Sequence, residues 1–152
     1  MLARRNLTAM LVSALAADTN FAVGDSHVPE AGTYGWSGTP GAIGSEYRPY
    51  SIITPMAASR PSGPLADSHA DWQIPYSLSS FGTTREQAEW IADLARTALI
   101  DQRGLTFDGG DGTYTIQQVR VESIGGMQRS DQLEPPTFGQ TDTIAVWITK
   151  GI

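Results

Sequence analysis

The sequence predicts an α+β fold: a two-layer domain in which about two helices pack on a four-stranded, mostly antiparallel or mixed sheet, in the order α-β-β-α-β-β with long loops. Three observations carry that expectation. Two stretches place apolar residues at helical spacing, four runs favour β-structure, and glycine and proline concentrate in the connections between them. With 152 residues and 40% apolar side chains, the chain has the size of one domain around one core, so residues 1–152 are read as a single domain.

In the first predicted helix Leu7, Met10, Leu11, Ala14 and Leu15 fall at i, i+3, i+4, i+7 and i+8, one stripe of a docked helix. A signal peptide competes for the same residues, because Arg4 and Arg5 precede the apolar stretch and Ala14-Leu15-Ala16 resembles a small-residue cleavage site. The docked helix is the simpler account. The first strand is expected over Tyr50 to Thr54, between Pro49 and Pro55. In the second, Trp72, Ile74, Tyr76 and Leu78 alternate with polar residues, and Pro75, which lacks an N–H, predicts an edge or a bulge. A second helix starts at Thr83 or Thr84, where Thr83-Thr84-Arg85-Glu86 reads as a capping box. Ala88, Ile91, Ala92, Ala95 and Leu99 form its stripe, Arg85 and Glu89 pair on its exposed side, and Gly104 follows its end. The third strand, Tyr114 to Ser123, alternates less clearly than the fourth, Thr141 to Thr149. Long loop insertions are expected at about 18–48, 56–70 and 125–140. The first contains Phe21, Tyr34, Trp36 and Tyr47, and aromatics of that number predict ordering against a neighbouring subunit.

Composition narrows the function classes. Ten basic against 16 acidic residues give a net charge of −6, which opposes adhesion to nucleic acid or anionic lipid. Without cysteine there is no disulfide framework, thiolate cluster or cysteine nucleophile. No run approaches the roughly 20 apolar residues of a spanning helix, so no membrane partner is expected. Asp25-Ser26-His27 and Asp67-Ser68-His69 repeat a tripeptide, and Asp71 extends the second. Asp67, His69 and Asp71 could hold a divalent cation and so allow a small metal-dependent hydrolase, but turn chemistry explains these residues more simply. No Gly-x-Ser-x-Gly elbow, phosphate-cradling loop or dinucleotide motif occurs. The stretch Phe107 to Gly112 resembles a calcium loop but has Val119 where an acidic residue is required, so it reads as a glycine-rich turn. No catalytic residue, cofactor or metal site is assigned.

The ordered pieces resemble the tail terminator proteins of long-tailed, siphovirus-type bacteriophages, in particular those of actinobacteriophages. The resemblance rests on the helix with Leu7, Leu11 and Leu15, on Arg48-Pro49-Tyr50 leading into a strand, on Gly63-Pro64-Leu65-Ala66-Asp67-Ser68-His69-Ala70-Asp71, and on Ser79 to Ala88 running into the helix with Trp90 and Ile91. The insertion from Gly24 to Gly44 has no counterpart in it. The resemblance implies a non-enzymatic virion protein, assembled in the host cytoplasm and placed at the junction of tail and neck. There a homo-oligomeric ring, commonly a hexamer, caps the tail tube protein and meets neck or head-completion proteins. A neck or head-tail connector subunit is the alternative within the same class. DNA would pass through the lumen without specific binding, and six copies would carry roughly −36. Interface candidates, chosen by loop position and the enrichment of aromatics and arginine at contacts, are Tyr34, Trp36, Arg60, Arg129 and Phe138.

Overall fold

The computed structural model describes residues 2–57, 59–62, 69–130 and 137–151. It corrects the expected four-stranded sheet. Among the described residues there are two helices and ten strands, and eight of the strands form one mixed sheet. In chain order the elements are α1 (Arg4–Ala16), β1 (Ala22–Asp25), β2 (Gly35–Trp36), β3 (Tyr47–Arg48), β4 (Tyr50–Pro55), β5 (Arg60–Ser62), β6 (Asp71–Gly82), α2 (Arg85–Ile100), β7 (Thr106–Asp108), β8 (Thr113–Ile124), β9 (Gln128–Ser130) and β10 (Thr137–Lys150). The sheet runs β1-β4-β6-β10-β8-β7, with β5 added to β6 and β9 added to β10. Only β1 and β4 pair in parallel; β2 and β3 make a separate antiparallel pair.

The four expected strands survive as β4, β6, β8 and β10, while the expected loop insertions hold β1, β2, β3, β5, β9 and the start of β10. These additional strands are two to four residues long, too short to show a period. Of these, β5 and β9 form because two long strands, β6 and β10, offer hydrogen-bonding edges along their whole length, whereas β1 adds to β4 and β2 and β3 pair with each other. On one side of β6, β4 pairs with residues 76–81 and β5 with residues 71–73. Pro75 falls in the gap between them, where no donor is needed, and its carbonyl accepts from Met56 N at 3.0 Å. A central strand thereby tolerates a proline that the sequence assigned to an edge or bulge.

Both helices lie on one face of the sheet. Leu7, Leu11 and Leu15 of α1 and Ile91, Ala95 and Leu99 of α2 pack with Ile53, Ile74, Tyr76, Leu78, Tyr114, Ile116, Ile144, Val146 and Ile148. The stripe of α1 is thus a docking face. In α2 the cap is Thr84, whose side chain accepts from Gln87 N, while Gln87 Oε1 accepts from Thr83 N at 2.9 Å. The box is therefore one residue later than the sequence reading placed it. Gly104 does adopt a positive φ, +86°, after the helix.

The other sheet face bears Tyr50, Ile52 and Thr54 of β4, Ser77, Ser79 and Phe81 of β6, and Thr141, Thr143, Ala145 and Trp147 of β10. No described helix covers it.

Candidate functional site

Between β1 and β4 the chain leaves the sheet as an arm. Its course is set by a turn at Asp25-Ser26-His27, where Ser26 adopts φ +63° and its N–H donates to Ile53 O at 2.9 Å. Beyond it the β2–β3 pair brings Trp36 opposite Tyr47, ring edge to ring face at 5.6 Å. Ser37 and Glu46 close this pair, with Ser37 N donating to Glu46 O and Glu46 N to Ser37 Oγ. The base of the arm is held by an aromatic ladder on the uncovered face: Tyr34 lies 4.8 Å from Tyr50, which stacks 4.8 Å from Phe81. Such pairs contribute about 0.5–1.5 kcal/mol each beyond the area they bury. Burial, reinforced by the neighbouring Tyr50 and Tyr34, pushes the Tyr47 phenol up to about 12, so it stays a neutral donor across the physiological range.

The tip of the arm has the opposite character. Residues 37–44 are all exposed, and Ile43 is 107% exposed, with no part of its side chain shielded by its own domain. Val28, before the hairpin, is 49% exposed.

Across the sheet, beyond β6 and β10, an open cleft of about 420 Å³ is lined by Phe81, Gly125, Gly126, Gln128, Arg129, Ser130, Thr137, Gly139 and Thr141. Two of its three glycines, Gly125 and Gly139, are structural requirements. A Cβ on Gly139 would stand 2.8 Å from the Phe81 ring, and one on Gly125 would stand 2.1 Å from Thr141 O. Arg129 and Phe138 are direct partners in the β9–β10 register, with the guanidinium 6.0 Å from the ring centre.

The five interface candidates therefore fall in three places. Tyr34 and Trp36 both lie half-buried in the arm, Tyr34 against Tyr50 and Trp36 against Tyr47; Arg129 and Phe138 are joined beside the cleft; Arg60 stands apart on β5, next to Met56, Gln73 and Ala145. Sequence reasoning missed Ile43, although its signal was present: it is the one large aliphatic residue in the run Gly38 to Ser45. The cleft had no such signal, because it joins residues from β6, the β8–β9 connection and β10.

Of the residues weighed for metal chemistry, Asp67 lies outside the described residues. His69 is exposed, and its carbonyl accepts from Trp72 Nε1 at 3.0 Å, while Asp71 opens β6. Among the described residues no group of three or more His, Asp or Glu stands close enough to hold a metal ion, and no helix is long and apolar enough to cross a membrane. The calcium-like stretch is the β7–β8 turn, with Gly109 N donating to Gly112 O at 2.8 Å.

A buried polar centre lies on the helical face. Asp142, fully buried, receives Arg96 Nη1 at 2.6 Å, Gln140 Nε2 at 2.9 Å and Gly125 N at 3.2 Å, and Arg96 also pairs with Asp93. Every oxygen of Asp142 thus has a donor. The cluster ties α2 to β10 and fixes the start of the β8–β9 connection, which forms one wall of the cleft.

No family model matches this chain, and no curated protein matches it. Among solved structures, one protein known only by a sequence identifier aligns over 98% of this chain and 93% of its own, at 14% identity and a TM-score of 0.50. That likeness is one of fold.

Proposed function

We propose that this chain is a non-enzymatic assembly protein whose copies close into a ring, and that the ring is the terminator capping the head-proximal end of a long-tailed phage's tail tube. The arm is the observation that carries this reading. An eight-residue tip whose residues are all exposed costs conformational entropy to order and adds nothing to the core cluster, which argues that its stabilising contact belongs outside the protomer. The arm leaves from the β4 side of the sheet, whereas the glycine-walled cleft opens on the β9 side. Two different patches on opposite flanks are what a heterologous contact requires, and a heterologous contact that closes makes a ring.

The mechanism is occupation. Tube subunits add to an exposed complementary surface, and a ring that satisfies that surface without regenerating it ends the polymer. The specific placement in the tail rests on the sequence resemblance through Arg48-Pro49-Tyr50 and Ser79 to Ala88.

Light scattering with negative-stain imaging of the purified chain tests the ring, for which a single closed multimer is expected. Addition of the chain to polymerising tube protein tests the slot: tubes should stop growing and carry one density at one end. Rings that bind neck proteins and leave tube growth unaffected would favour a connector subunit instead.

A further inference from the structure

We draw no further inference here: the strongest candidate, the recess of about 560 Å³ at the base of the arm lined by Tyr34, Trp36, Tyr47 and Arg48, carries none, because nothing in the structure shows what fills it.

Discussion

Arg96 and Asp142 show how a single buried charge is made tolerable. Removing one partner of such a pair is far more damaging than the pair is stabilising, because the remaining charge stays out of water. Arg96→Ala is expected to lower the unfolding free energy by about 3 kcal/mol. Adding Asp142→Asn should recover part of that loss, since the amide oxygen still accepts from Gly125 N and Gln140 Nε2; urea unfolding of the four chains in a double-mutant cycle measures it. Tyr76 is the second such residue. Desolvation pushes its phenol up to about 12, against weaker opposing effects from the Thr8 hydrogen bond and Arg4. A raised folded pKa means that stability is fully present below pH 10 and falls between about pH 10 and 12, because the unfolded chain loses its proton first. Tyr76→Phe should flatten that fall, as read by urea midpoints at pH 8 and 11. At neutral pH it should lose about 1 kcal/mol with the 2.9 Å bond to Thr8, whose hydroxyl keeps Arg4 O as a partner.

Individual elements explain where the pattern in the sequence blurred. In β8 the register against β10 slips twice, so that Gln117 and Glu122 are extra residues. Tyr114 and Ile116 share one parity, Val119 and Val121 the other, yet all four meet the same row of β10: Ile116 faces Ile148, Val119 faces Val146 and Val121 faces Ile144. A strict period of two therefore misses a strand that is buried along one face. The same bulges, with Arg120 and Glu122 exposed beside them, discourage pairing of this edge with another chain. In α2 the start depends on one hydroxyl. Thr84→Ala should lower stability by about 1 kcal/mol in thermal or urea unfolding, and Thr83→Ala by less, because the Thr83 hydroxyl caps no helical N–H.

At the scale of the whole molecule, core and arm are separable in energy. The core packs both helices on one sheet face, while residues 38–45 lie beyond the hydrogen bonds that close the β2–β3 pair. Replacing residues 38–45 with Asn-Gly, which suits a two-residue hairpin turn, should leave the melting temperature within a few degrees of the parent. The same replacement should abolish assembly by light scattering. Loss of folding would instead mean that the tip supports its own domain.

The sequence by itself determined both helices, the four principal strands and the aromatic character of the arm, because each is written in local spacing: Leu7, Leu11 and Leu15 along one stripe, or Ile144, Val146 and Ile148 along another. Tyr34 and Trp36, expected as interface residues, pack on Tyr50 and Tyr47 of their own chain, which local spacing did not show. Only the tertiary structure decided that β6 and β10 would recruit short strands from the expected loops, that Pro75 would fall in a gap of a central strand, and that Arg129 and Phe138 would meet beside a cleft closed by Phe81. Short strands and clefts are created by residues far apart in the chain, and their stabilising partners exist only once the long strands have paired.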